Sequence, residues 1–440
     1  MRIALFIIVM LVGSVVSHAD EPQSPNAENT TATPGEHKEV TREQVNELLA
    51  QLDSRKLTAR RNAERDLVVL GPGILPFLPA PELLKSIQVK QAVRRLRITL
   101  EHAQARESIK ASRISKTGTL PLKEIALLIE KQSQNQLLVP KNIQNNPFSV
   151  DWQKRSFWGS INDLEKQSLK TVFNAQSGRF EFAAGKVNHV AVWQKEAFRA
   201  TLSPLTIKAA GDEQLIRCEL NLTTEPRLRP LLLRYKSADW SMSSSDRTAI
   251  SNFNPSARFE IPLGESGREA KLQLNFLRPK PKPDPNNGNQ KPTRLNLSGH
   301  ATLLTAAREQ PIRFTRLNAT GVVRRRAGVS VNLQSVKEHQ KDAVRHIRVQ
   351  AQVSYDIGRN AFESHQTWIF HNRVYLETKS GNAIALNDGF ETLFHADGSV
   401  GVVYRFKNVT QDLADLRFVY VAPTLLINVP LDIQFSDLKL

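Results

Sequence analysis

Three adjacent arginines, Arg324-Arg325-Arg326, form the densest positive cluster in a chain of 440 residues with a formal net charge of +17. A guanidinium is a planar fork of donors that matches carboxylate, phosphate or sulfate oxygens. These three are therefore the candidate contacts for an anionic partner. Arg60-Arg61 and Arg94-Arg95 with Arg97 are smaller clusters of the same chemistry. A second account of the basic excess is that it only keeps the protein soluble. The clusters are short and far apart along the chain, which favours that second account.

Other chemistry-bearing residue types do not gather into a motif. Ten histidines invite a metal search. His339 and His346 flank a polar turn, and His365 and His371 lie on or near one strand. None of these four belongs to a His-x-Glu or His-Glu-x-x-His pattern. A catalytic serine needs a strained, Gly-flanked turn between strand and helix. Gly159-Ser160 falls inside a helix, and Gly264-Glu265-Ser266-Gly267 in a polar turn between strands. No Gly-rich phosphate loop is present. Paired carboxylates for glycoside hydrolysis meet only in space and leave no trace along the chain. Cys218 sits on the apolar side of the alternating run Ile216–Leu222, the place of a buried core thiol. The sequence thus offers no catalytic, cofactor-binding or metal-binding residue.

The elements that hold these side chains follow from composition and periodicity. Met1-Arg2, the apolar run Ile3–Val16 and Ser17-His18-Ala19 have the layout of a cleaved secretory signal, with cleavage after Ala19. The run is shorter than the roughly 20 apolar residues of a spanning helix, so no transmembrane segment is expected after cleavage. Residues 20–39 are polar and proline-rich, a disordered linker. A lone cysteine permits no intramolecular disulfide, which fits an exported bacterial protein, periplasmic or secreted.

From 40 to 110 the period is helical. Thr41 and Gln44 form a capping box, and Val45, Leu48, Leu49 and Leu52 line one helix face. A second helix from Thr58 to Leu70 stops at Gly71-Pro72. A third carries Val89, Val93, Leu96, Leu100 and Ala103, with its arginines facing away. From 111 to 186 the pattern is strand, helix, strand, strand, helix, strand, strand. From about Lys195 the period is two, the mark of half-buried strands. The Pro/Lys-rich segment 278–292 is expected as an exposed extended loop. A second β stretch begins after Arg326, with Val329/Val331/Leu333 leading into a polar loop and then Ile347–Tyr355. Turn signals at Asn387-Asp388-Gly389 and Asp397-Gly398 follow, and Val429/Leu431/Ile433/Phe435 is the last strand.

The expected fold class is multi-domain α+β. An N-terminal helical unit (40–110) and a small βα-type domain (111–186) precede two antiparallel β-sandwich-like domains (187–322 and 323–440). Gln51-Leu52-Asp53-Ser54, Ala59–Glu64 and Leu70-Gly71-Pro72-Gly73 resemble a HEAT-type helical repeat pair. The two βα halves of 111–186 resemble the small N-terminal domain of secretins and TonB-dependent receptors, which docks peptides or neighbouring subunits. The whole order is similar to secreted multi-domain proteins of planctomycete-type bacteria that carry no assigned activity. That likeness rests on the signal, the 51–73 helical unit, Ser156-Phe157-Trp158, Glu225-Pro226-Arg227-Leu228-Arg229-Pro230 and the C-terminal strand.

The expected function is that of an exported, non-catalytic envelope protein that binds or assembles. Its partner would be another envelope protein or an anionic surface polymer, with no specific nucleic acid. Two alternatives stay open: an envelope hydrolase acting on glycan or peptide, and a basic anchor for an anionic polymer. One contiguous basic face would favour the anchor.

Overall fold

The computed structural model describes residues 40–174, 179–245, 247–263, 267–280, 294–341, 344–355, 369–370, 372–396 and 398–439. The signal segment, the 20–39 linker, residues 281–292 of the Pro/Lys loop, Ser266, His365 and His371 lie outside them. The structure is mostly β, with several antiparallel sheets and five α-helices among the described residues. None of these helices is long and apolar enough to cross a membrane.

Helix α1 (Arg42–Gln51) begins at the capping box, where Thr41 Oγ1 accepts from the Gln44 N–H and the Gln44 side chain accepts from the Thr41 N–H. Helix α2 (Leu57–Val69) buries Ala63 and Leu67. Gly71, at φ +78°, supplies the left-handed residue that ends it. Helix α3 (Ile87–Ser108) is capped by Ser86 and buries Val89, Val93, Leu96 and Leu100 with α1 and α2. It also buries Glu101 and Ala105, and Ala105 joins a β core. A helix packed from two sides has no fully outward face. So the α3 arginines do not all face away. Arg95 reaches back to Glu64 on α2 through two bonds of 2.9 Å. Arg97 turns inward to donate to the carbonyls of Leu78 and Pro79.

The next seven elements run β1 (Arg113–Pro121), α4 (Leu122–Ser133), β2 (Leu137–Leu138), β3 (Pro147–Ser156), α5 (Phe157–Glu165), β4 (Leu169–Asn174) and β5 (Arg179–Ala184). β1 pairs with β3, while β2, β5 and β4 form a separate three-stranded sheet. Leu122, Ile125, Ala126 and Ile129 of α4 meet Phe157, Ile161 and Leu164 of α5 in one core with Trp152, Trp158 and Phe182. This layer is pinned to the β region by buried polar contacts. Trp158 Nε1 donates to the Ala197 carbonyl at 3.1 Å. Glu225, fully buried, accepts from the Ser112 N–H and Oγ, from Asn135 Nδ2 and from Arg227 Nε.

Three larger sheets follow. The first orders β11 (Ser251–Asn252), β13 (Glu269–Pro279), β9 (Glu213–Thr224), β7 (Phe198–Leu202) and β6 (Ala191–Lys195), with β8 (Thr206–Ala210) also on β9. The central sheet orders β12 (Arg258–Pro262), β10 (Arg229–Ser244), β14 (Arg294–Phe314), β22 (Leu416–Lys439), β18 (Val374–Thr378) and β19 (Ala383–Ala385). The last orders β15 (Val322–Arg326), β16 (Val329–Lys341), β17 (Val344–Tyr355), β21 (Ser399–Lys407) and β20 (Phe390–Ala396).

The central sheet serves both others. Leu295, Leu297, Ala301 and Leu303 of β14 pack into the core shared with the first sheet. Leu304, Ala306, Ile312 and Phe314 of the same strand pack into the core shared with the last sheet. The switch from odd to even positions puts the two partner sheets on opposite faces, because side chains alternate along a strand. β22 makes the same switch, with Phe418 and Tyr420 in one core and Leu431 and Ile433 in the other. Strands from the stretches 187–322 and 323–440 therefore share one sheet. Leu425 marks the crossing in β22. It adopts φ +55°, and its N–H turns out of the β14 ladder towards the Ala327 carbonyl at 3.4 Å.

The polar loop expected after Leu333 is strand instead. β16 continues to Lys341, paired with β17 as far as Val344. The ladder carries polar residues there because backbone pairing, not side-chain burial, holds that end of the hairpin.

Cys218 lies on β9 opposite Leu274, fully buried, and burial pushes its thiol up to about 12. A thiol reagent is expected to leave the folded chain unmodified, since only the thiolate reacts. Cys218→Ser is expected to cost about 1–2 kcal/mol by burying a hydroxyl without a ready partner. Prompt labelling of the folded protein would contradict this placement.

Candidate functional site: an arginine-lined cleft

The arginines that are scattered in sequence meet in space. A cleft of ≈ 800 Å³ opens between α3, the short turn Pro81–Leu83, the end of β14 and the strand β15. Arg94 and Arg97 enter it from α3, Arg313 from β14, and Arg324, Arg325 and Arg326 from β15. The described lining residues include no carboxylate. A second cleft of ≈ 320 Å³ shares Arg97, Arg325 and Arg326 and adds Arg308 and Glu101. The two are neighbours with these three arginines in common.

Each element has a reason to deliver an arginine there. Among the described residues β15 is an edge strand, paired with β16 alone, and charged residues on an edge discourage further strand pairing. Edge protection accounts for arginines on β15. It does not account for those brought from α3 and β14 to the same cleft. Arg308 and Arg313 occupy exposed positions of β14, while Ile312 and Phe314 beside them stay in the core.

The arginines divide into two groups by their partners. Arg325 pairs with Glu101 of α3 at 3.0 Å, and this pair joins the helix to the β15 edge. Arg313 donates to Glu377 at 3.2 Å, and Glu377 also lies 3.7 Å from Arg417. Arg97 is held by two backbone carbonyls. These side chains are fixed by the fold. Arg324 and Arg326 are exposed and have no carboxylate partner among the described residues. Arg324 lies 5.7 Å above the ring of the buried Phe314, a cation–π contact that steadies it without consuming its charge.

Leu83, Ile98 and Val323 also line the cleft and are 80%, 41% and 60% exposed. Apolar side chains at that exposure, interleaved with arginines, make a surface suited to a ligand with an apolar backbone and anionic substituents. Several like charges around a concave wall focus the field on its interior and raise the local concentration of anions.

Other candidate residues fall elsewhere. Arg60 on α2 caps the carbonyls of Ser54 and Arg55. Ser160 is buried in α5 and donates to the Ser156 carbonyl. His339 and His346 face each other across the β16–β17 hairpin with rings 4.9 Å apart, and His346 lies 3.4 Å from Asp388. Among the described residues no three His, Cys, Asp or Glu side chains gather as a metal site. Arg308 and Arg313 escaped the sequence search because single arginines in a strand carry no signal of where the strand leads.

No protein-family model, curated protein or solved structure matches the chain.

Proposed function

We propose that the chain is an exported binding protein of the cell envelope whose arginine cleft holds an anionic surface polymer. The observation that carries this reading is the convergence of arginines from α3, β14 and β15 on one cleft whose described lining residues include no carboxylate. Arg325, Arg313 and Arg97 form a rigid basic wall. Arg324 and Arg326 supply charge that no carboxylate among the described residues neutralises. The apolar residues between them support the polymer backbone. The neighbouring cleft shares Arg97, Arg325 and Arg326 and adds Arg308, which favours an extended chain over a single small anion.

The test separates charge from stability. Arg325 is left intact, because its removal would strand the nearly buried Glu101 carboxylate at a cost of about 3 kcal/mol. Arg324→Gln combined with Arg326→Gln touches no ion pair. This double variant is expected to lower the salt dependence of heparin binding by about 1–2 in log–log slope, since each lost contact releases about one counterion fewer. Arg60→Gln with Arg61→Gln, equal in charge, is expected to leave the slope unchanged. Equal slopes for the two double variants would mean that net charge alone drives retention and would reject the cleft.

A further inference from the structure

A second cavity, far from the arginine furrow in its lining residues, carries an independent site. It measures ≈ 300 Å³ and lies between the α5–β4–β5 layer and the outer face of the first β sheet. The sheet's register builds its floor. Arg199 of β7 stands opposite Thr223 of β9, which stands opposite Glu269 of β13. The next row is Thr201, Asn221 and Lys271. Directly opposed residues point to the same face. The alternate positions Phe198, Ala200, Leu220 and Leu222 fill the apolar core behind. One face of this sheet is thus a tile of hydroxyl, amide and charged groups.

Arg199 is only 5% exposed and stacks 5.4 Å from the Trp158 ring centroid. Both its terminal nitrogens are taken by Glu165. The pair cancels its charge and leaves Nε, which makes no hydrogen bond among the described residues. Asn221 Oδ1 and Thr171 Oγ1, also in the lining, are likewise without a partner among the described residues. A buried donor and a buried acceptor left open on the same wall are costly unless a ligand or solvent meets them.

The remaining lining defines the ligand. Thr201 and Ser203 add hydroxyls that both donate and accept. Lys170 and Lys186 bring two ammonium groups that enter no ion pair among the described residues. We infer that this cavity binds a sugar acid, a hydroxyl-rich ring whose hydroxyls meet Arg199, Asn221 and Thr201 and whose carboxylate meets Lys170 and Lys186. Alternating donors and acceptors suit vicinal hydroxyls, and the paired lysines select a carboxylate over a neutral ring. Burial, and secondly the Arg199 charge, lowers the His189 pKa and favours a neutral imidazole. Burial raises the Glu269 pKa. The volume lies at the small end of ligand cavities, room for a short saccharide rather than a polymer.

Calorimetric titration of the full chain with glucuronate, glucose and glutamate tests the assignment. Glucuronate is expected to bind, glucose about tenfold more weakly for want of the charge-assisted bonds, and glutamate not at all. Asn221→Ala should weaken glucuronate about tenfold by removing the open acceptor. Lys186→Gln, at an exposed position outside any ion pair among the described residues, should erase the preference for glucuronate over glucose. Arg324→Gln with Arg326→Gln should leave glucuronate binding unchanged, so failure of the furrow and failure of this cavity are told apart. Absence of glucuronate binding overturns the inference. So does glutamate binding as tightly, or an unaltered glucuronate preference in Lys186→Gln.

Discussion

Glu225→Ala is expected to lower the stability of the folded chain by about 3–5 kcal/mol, the range for removing one partner from a buried charged network. The carboxylate is fully buried and accepts four bonds, at 2.9 Å from the Ser112 N–H, 2.8 Å from Ser112 Oγ, 3.0 Å from Asn135 Nδ2 and 2.6 Å from Arg227 Nε. Arg227 itself donates to the carbonyls of Ser108 and Lys110 at the end of α3. One side chain therefore ties together the end of α3, the start of β1, the turn after α4 and the entry to β10. Alanine takes the carboxylate acceptor from Arg227 Nε and leaves the Asn135 amide with Ser112 Oγ, in a junction that is at least partly buried. Glu225→Gln retains one acceptor oxygen and is expected to lose less. Urea denaturation followed by tryptophan fluorescence measures both. Losses below about 1 kcal/mol for alanine would show that the junction is held by apolar packing instead.

Trp240→Ala is expected to cost about 3–5 kcal/mol, the range for truncating a large buried aromatic. Trp240 is 1% exposed and sits opposite Gly299 in the β10–β14 ladder, just after a register shift. Its ring lies where a side chain at Gly299 would be, so a Cβ built there falls inside the indole. Gly299→Ala is therefore expected to cost about 1–3 kcal/mol by overpacking. The combination should cost less than the sum, because the space vacated by the ring accepts the new methyl group. Strict additivity in thermal or denaturant unfolding would show that the two positions do not share that space. Gly401 and Phe394 repeat the arrangement in the last sheet, but Phe394 is 37% exposed and its ring can swing aside.

Much of the local structure is legible residue by residue. The Thr41–Gln44 capping box forms as written, because both partners lie within four residues of each other. Ile216, Cys218, Leu220 and Leu222 are buried on one side of β9, as period two requires. The seven elements from Arg113 to Ala184 occur in the order the periodicities dictate. Where the strands deceive, the cause is identifiable. In β14 the buried positions change from odd to even between Leu303 and Leu304, which in sequence looks like two short strands around a break. It is a single strand of 21 residues leaving one core for another. β22 conceals its first half in the same way, since Leu416–Leu426 is buried nearly throughout and shows little alternation.

The sequence by itself determined the local elements, the burial of Cys218 and a basic excess sorted into short clusters, because each depends on neighbours within a few residues. Only the tertiary structure decided what the clusters mean. Arg94 and Arg324 are more than two hundred positions apart, and nothing local records that α3 lies alongside β15. That contact depends on β22 returning from the far end of the chain to pair with β14 and on the Arg325–Glu101 bridge across the join. The separation that argued for dispersed, solubilising charge is a separation along the chain. Electrostatic focusing depends on distance through space, and there the arginines share one furrow.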